Sequence, residues 1–264
     1  MPDQPDALFA DPRLAAVYDA LDPDRGDLDE YEAAVAALEA QRVLDIGCGT
    51  GVLARRLAHR GMQVIGLDPA AASIAVARSR PGAERVQWVT GTVAALEAAD
   101  LPTEVVAMLP VDAVTMSANV AQVFTDDAEW SAVLAAAHRA MPPGGLLVFE
   151  ARRREARAWE SWTPEQSRTR ADVPGVGAVE RWVEVVDVVG DGELVTFDQP
   201  TVFLDEKTGA PLDDGTRWES RSTLRFRTRE EIEGSLETAG FTVDVLDLAY
   251  APGCGWLYLA RRRP

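Results

Sequence analysis

Residues 43–51 read Val-Leu-Asp-Ile-Gly-Cys-Gly-Thr-Gly, an apolar strand that runs straight into three alternate glycines and then into a helical pattern. Glycine reaches backbone angles closed to other residues and lets the chain pass close to a ligand without a side chain between them. The stretch therefore fixes a strand, a tight turn and a helix in that order. Downstream the same grammar repeats: short apolar runs, bounded by glycine or polar turns, alternate with helical stretches, as in a parallel sheet covered by helices. We read strands over 43–46, 63–67, 85–89, 112–117 and 146–149. Helices over 52–59, 70–79 and 127–140 each end for a physical reason, at Gly61, Pro81 and Pro142-Pro143-Gly144-Gly145.

Ahead of this core, Leu14, Val17, Tyr18 and Leu21 fall at helical spacing, as do Tyr31, Ala34, Val35 and Leu38, so residues 1–41 form two short helices. After the fifth strand the alternation breaks. Long strand-like runs over 179–189, 193–204 and 216–227 are separated by Gly190-Asp191-Gly192 and by a loop holding Gly209, Pro211 and Gly215, the pattern of an inserted antiparallel β-ribbon or small sheet. Thr228 and Glu231 make a capping box that opens a helix, and Gly240 closes it. Strands over 241–248 and 256–260 follow, too closely joined to pair other than antiparallel. The expected fold class is α/β: a three-layer sandwich on a seven-stranded, mostly parallel sheet with an antiparallel last strand, plus the inserted ribbon. Residues 42–151 and 228–264 make the core, and 152–227 the insertion.

The 43 acidic residues outnumber the 26 basic ones, for a net charge of −17, which repels phosphate backbones and argues against nucleic-acid partners. No apolar run approaches the roughly 18–20 residues of a membrane helix, and no secretory leader is visible, so a cytoplasmic protein without a membrane partner is expected. Cys48 and Cys254 stand far apart without metal-ligand spacing. No acidic set for a catalytic ion is evident either, and no metal is expected.

Asp68 ends the second strand, where a carboxylate can accept hydrogen bonds from both hydroxyls of a ribose. The glycine spacing is G-x-G-x-G rather than G-x-G-x-x-G, and Asp45 sits two residues before the first glycine. A carboxylate there repels a pyrophosphate and suits a cation. S-adenosylmethionine, with no phosphate but an ammonium and a sulfonium, fits that charge pattern better than a dinucleotide.

The stretch 43–51 resembles the first motif of class I S-adenosylmethionine-dependent methyltransferases, and Val64-Ile65-Gly66-Leu67-Asp68-Pro69 resembles their second-strand motif. The closing hairpin is similar to that family's antiparallel seventh strand. The resemblance is to bacterial enzymes acting on small molecules and implies a Rossmann-like fold with S-adenosyl-L-methionine as cofactor. It implies that Asp45, Gly47, Gly49 and Gly51 hold the methionine end and that Asp68, with Pro69, holds the ribose. Thr92 and Val93 would border the adenine, where many relatives carry an acidic residue at Thr92. Tyr18 would cover the cofactor carboxylate, and Ser117 would complete the cofactor set.

Methyl transfer is an in-line displacement, so the protein mainly aligns donor and acceptor, excludes water and, where needed, takes a proton. Asn119 and Gln122, after the fourth strand, are placed to orient an acceptor, because amides do not titrate. Glu150, past the fifth strand, is the best-placed carboxylate for holding an amine or removing a proton. The neighbouring Arg152 to Arg154 either hold a substrate carboxylate or phosphate or form a solvated face. Trp159 and Trp162 stand at the start of the insertion and are expected to form part of a lid or of the acceptor pocket wall. His59 and His138 fall at helix ends on the far edge of the sheet, which disfavours a histidine base. The sequence thus predicts an enzyme that methylates a small molecule, as a monomer or homodimer. Its alternatives are a protein or RNA methyltransferase and a non-catalytic S-adenosylmethionine-binding protein.

Overall fold

A computed structural model describes residues 4–205, 208–212 and 215–264; the first three residues of the N-terminal segment and parts of the 205–215 loop lie outside the described residues. The chain opens with α1 (Ala7–Ala10) and α2 (Pro12–Leu21). Asp11 starts the second, its carboxylate accepting from the backbone N–H groups of Arg13 and Leu14, with Pro12 at the first helical position. After α3 (Asp29–Ala37) come β1 (Arg42–Ile46), α4 (Val52–His59), β2 (Gln63–Asp68), α5 (Ala71–Ser79) and β3 (Val86–Thr90). Then follow α6 (Thr103–Met108), β4 (Ala113–Met116), α7 (Asp127–Ala140) and β5 (Leu146–Arg152).

The insertion holds α8 (Pro164–Ser167), β6 (Thr169–Val173), β7 (Gly177–Arg181), β8 (Glu184–Val189), β9 (Leu194–Asp198), β10 (Thr201–Leu204) and β11 (Arg221–Arg225). The chain closes with α9 (Arg229–Thr238), β12 (Phe241–Asp247) and β13 (Gly255–Arg262). Thr228 and Glu231 form the expected capping box.

The main sheet has the order β12-β13-β5-β4-β1-β2-β3. Strands β1 to β5 are parallel, and β13 runs antiparallel to both β5 and β12. The seven strands and the antiparallel last one are as the sequence predicts. Val43, Leu44 and Ile46 are fully buried because helices cover both faces. One core, with Leu44, Ile65, Val114 and Phe149, fills one side; another, with Tyr31, Leu57, Val64 and Val148, fills the other. Strand order reverses between β1 and β4, which opens a crevice at their carboxyl ends.

The insertion is antiparallel, as expected, but divides in two. Its long runs break into six short strands in two sheets, β10-β7-β6 and β11-β9-β8. The chain passes between the sheets at Trp182–Val183 and again at Gln199–Pro200. Pro200 has no N–H to continue a ladder. The Val183 N–H leaves the ladder too, donating to the Ser167 hydroxyl at 2.8 Å. The two sheets pack in different places. The first lies on the N-terminal helices, with Val179 and Phe203 against Leu8, Leu14, Val17 and Leu21. The second closes its own small core of Trp159, Val195, Phe197, Leu224 and Phe226.

Candidate active site

The glycine turn is fastened to the end of β2. The N–H groups of Gly47 and Cys48 both donate to the Leu67 carbonyl, at 2.8 and 3.2 Å. Gly49 N–H donates to Asp68 Oδ2 at 2.8 Å, and Ala70 N–H donates to Asp68 Oδ1 at 2.8 Å. Gly47, Gly49 and Gly51 all have positive φ, at 73°, 53° and 78°, a region that other residues enter only at a cost. Their roles differ. A side-chain carbon on Gly49 would meet only open space, whereas one on Gly51 would overlap the Trp88 ring. Gly49 keeps the crevice clear, and Gly51 lets the turn and α4 sit down on the sheet.

Asp45 lies directly beneath the turn, 1% exposed. Thr115 donates its hydroxyl to Asp45 Oδ1 at 2.7 Å, while Oδ2 is buried with no hydrogen-bond partner. Burial, chiefly, raises this carboxyl to about 7; the Thr115 bond opposes the rise and the charge of Asp68 adds to it. A buried acceptor oxygen left open is costly unless a ligand satisfies it, and the donor suited to a carboxylate is a cation. Asp68 is also raised by burial, against the pull of its two backbone bonds.

Above these groups is a cavity of about 930 Å³, its open mouth included, whose wall holds Gly47, Cys48, Gly49, Thr50, Asp68, Pro69, Ser117 and Ala118 from the strand ends. Pro5, Asp6, Phe9, Tyr18 and Arg25 of the N-terminal segment also line it, as do Val120 and Val123. Phe9 and Tyr18 pack ring to ring at 5.5 Å. The Arg25 guanidinium is held by Asp27 through two bonds, at 3.1 and 3.2 Å.

Of the residues singled out from the sequence, Tyr18, Gly47, Gly49, Asp68, Pro69 and Ser117 meet in this cavity wall, with Asp45 behind it and Gly51 against Trp88. The others sit elsewhere. Thr92 and Val93 begin a short helix after β3, where Val93 packs on the main core. Asn119 does not line the cavity; its N–H donates to Glu150 Oε1 at 3.2 Å. Glu150 is 1% exposed and accepts from the Tyr250 hydroxyl at 2.8 Å, and burial raises its pKa. Gln122 is buried and accepts from the Arg152 backbone N–H and guanidinium, both at 3.3 Å. Trp159 and Trp162 belong to the second insertion core.

Sequence reasoning did not single out Asp6, Phe9, Arg25, Thr50, Val120 and Val123. The first three reach the cavity only through tertiary packing and carry no local signal. Thr50 stood inside the motif, and its hydroxyl was the available clue. Neither His59 nor His138 lines this cavity.

Residues 43–145 match the methyltransferase domain family. A ubiquinone biosynthesis O-methyltransferase from Alkalilimnicola ehrlichii is 34% identical over 132 residues, 50% of this chain and 50% of that protein. The chain thus spans about half the length, or less, of the curated relatives it matches. Among solved structures, an S-adenosylmethionine-dependent methyltransferase from Clostridium acetobutylicum aligns with TM-score 0.69 at 15% identity, over 96% of this chain and 98% of that one. An amino pentose methyltransferase from Micromonospora echinaspora, solved with S-adenosylmethionine bound, aligns with TM-score 0.64 at 25% identity, over 93% and 96%. The glycine turn, the strand order and the matched domain agree: residues 43–145 form a methyltransferase domain, and the chain is similar in fold to S-adenosylmethionine-dependent methyltransferases.

Proposed function

We propose that this chain transfers a methyl group from S-adenosylmethionine to a small-molecule acceptor, and one observation carries the reading: the open, buried Oδ2 of Asp45 beneath three left-handed glycines, with Asp68 across the crevice. The bound cofactor supplies a methyl group already activated on a sulfonium.

The residues present fit that ligand. Asp45 Oδ2 would take the ammonium, and Arg25, fixed by Asp27, would take the carboxylate at the same end. Each oxygen of Asp68 accepts one backbone N–H and keeps a lone pair for a ribose hydroxyl. Tyr18 and Phe9 would close over the ligand from α1 and α2 and keep water out, which strengthens the electrostatic contacts within.

On the acceptor side, Ala118, Val120 and Val123 give an apolar wall. Such a wall orients a nucleophile without competing for it. A neutral amine needs no base before it attacks, which suits a cavity wall without histidine. Glu150 acts in this reading as a positioning residue, anchoring Asn119 in the turn that forms the wall. The protein would work in the cytoplasm, as a monomer or homodimer, without nucleic acid. N-terminal residues 1–41 would cover the cofactor, and 152–227 would serve as lid and acceptor wall.

Incubating the protein with methyl-labelled S-adenosylmethionine and a whole cell extract, then fractionating the products by size, tests the activity. A labelled metabolite heavier by one CH2, suppressed by S-adenosylhomocysteine, is the expected result. Label confined to protein or RNA would overturn the choice of acceptor.

A further inference from the structure

Among the described residues, three charged side chains line the cavity: Asp6, Arg25 and Asp68. Arg25 and Asp68 have partners in the cofactor, its carboxylate and its ribose. Asp6 has none.

Asp6 stands just before α1, where an aspartate ordinarily caps the helix with its carboxylate. Here the carboxylate is turned away. Ser220 does the capping instead, its hydroxyl accepting the Leu8 N–H at 2.8 Å, while Asp6 Oδ2 accepts from the Ser222 hydroxyl. Oδ1 accepts no hydrogen bond from any described residue, and no Lys, Arg or His nitrogen among them lies within 4.0 Å of either oxygen. Burial raises the Asp6 carboxyl, opposed by the Ser222 bond and by no neighbouring positive charge.

Ser222 lies in β11 and Ser220 just before it. That strand packs on the turn of residues 120–123, and Val123 of the turn packs on the core that holds Leu224 of the strand. Val120 and Val123 line the cavity as well. Asp6 is therefore hydrogen-bonded to the strand that backs the apolar wall assigned to the acceptor.

A carboxylate drawn partly out of water, with no cation beside it, is costly unless a ligand brings the opposite charge. We propose that Asp6 is the acceptor-binding carboxylate of this cavity, and that the methyl acceptor carries a basic amine, held as its ammonium by Oδ1. This rests on the reading of the cavity as a methyltransfer site. An ammonium–carboxylate hydrogen bond is short and strong, so it would orient the acceptor against Val120 and Val123. The net charge of −17 also attracts a cationic small molecule.

The test separates the small molecules of a cell extract on a cation exchanger at pH 7, then incubates each fraction with the protein and methyl-labelled S-adenosylmethionine. Label is expected in products of the retained, cationic fraction. Asp6→Asn, which keeps an acceptor for Ser222 but removes the charge, is expected to slow that labelling roughly tenfold or more, with S-adenosylhomocysteine affinity changed by less than about twofold. Ser222→Ala, which keeps the charge but removes the tie to β11, should slow it less than Asp6→Asn does. The reverse order would make Asp6 a latch for the N-terminal segment and overturn the proposal. A matching loss of S-adenosylhomocysteine affinity in Asp6→Asn would assign Asp6 to the cofactor and overturn it too. Label arising only from the unretained fraction would overturn the proposal while leaving methyltransfer intact; a folded wild type that labels no fraction would sink the methyltransfer reading as well.

Discussion

Thr50 donates its hydroxyl to Asp19 across 2.5 Å, and through this bond the glycine turn grips α2. The other oxygen of Asp19 accepts from Arg80 at 3.2 Å, just past α5. One carboxylate thus holds the helix that carries Tyr18 against two elements of the core. Hydrogen bonds to charged groups contribute about 1.5–3 kcal/mol. Asp19→Ala is therefore expected to weaken S-adenosylhomocysteine binding roughly tenfold, because α2 no longer rests on the turn. Titration calorimetry checks this, with the melting temperature as control for folding.

The glycines of the turn should separate by role. Gly51→Ala combines left-handed strain with overlap of the Trp88 ring, and is expected to cost about 2–4 kcal/mol of stability. Gly49→Ala meets open space and should cost only about 1–2 kcal/mol, yet it places a methyl group in the cavity and should impair cofactor binding more than stability. Urea unfolding of both variants measures the contrast. Adding Trp88→Leu to Gly51→Ala should recover the part due to overlap.

Asp45 gives a pH dependence of definite sign. Its carboxyl rises from 3.8 unfolded to about 7 folded, chiefly by burial, so the folded chain holds the extra proton between those values. The stability this group contributes is full below about pH 4, falls as pH rises, and is lost above about 7. Asp45→Asn should then stabilise the ligand-free protein at pH 8 by on the order of a few kcal/mol. In the wild type, affinity for S-adenosylhomocysteine should climb as pH passes through 7 and the carboxylate forms. Denaturant melts and titrations at pH 6 and 8 read both effects.

Glu150 holds a strained turn. Ala118 and Asn119 both have positive φ, 55° and 64°, and the Glu150 carboxylate anchors the Asn119 N–H from below. Glu150→Ala removes that anchor and leaves the Tyr250 hydroxyl without its acceptor. A loss of about 2 kcal/mol is expected, seen as a lower melting temperature. Replacing Asn119 by glycine in that background should return part of it, because glycine takes the left-handed conformation without strain.

The core was legible because its signals are local. Val43 to Gly51 declared the turn, Asp45 and Asp68 stood at strand ends, and the Thr228 capping box and Gly240 bounded the last helix as observed. Burial on both faces left strands β1, β2, β4 and β5 as mostly apolar runs. The insertion was less legible, for a physical reason. Alternation marks a half-buried strand but not which sheet it joins, so 179–189 read as one strand although the chain changes sheets at Trp182 and Val183. Thr169 to Val173 carries an arginine and an aspartate and lies largely exposed, which hid β6. In the cavity, Asp6, Phe9 and Arg25 come from segments brought there by packing of α1 and α2 on Val179 and Phe203. No spacing rule reaches across that distance in the chain. The aromatic residues Trp159 and Trp162 read as pocket wall but spend their surface on Phe197 and Phe226 instead.

The most direct test of the central claim is calorimetric titration of S-adenosylhomocysteine into the wild-type protein, Asp45→Asn and Asp68→Ala at pH 8. Micromolar binding by the wild type, lost by at least about tenfold in each variant while both remain folded, is the result predicted here. Equal affinity in all three, or no binding by the folded wild type, would contradict it.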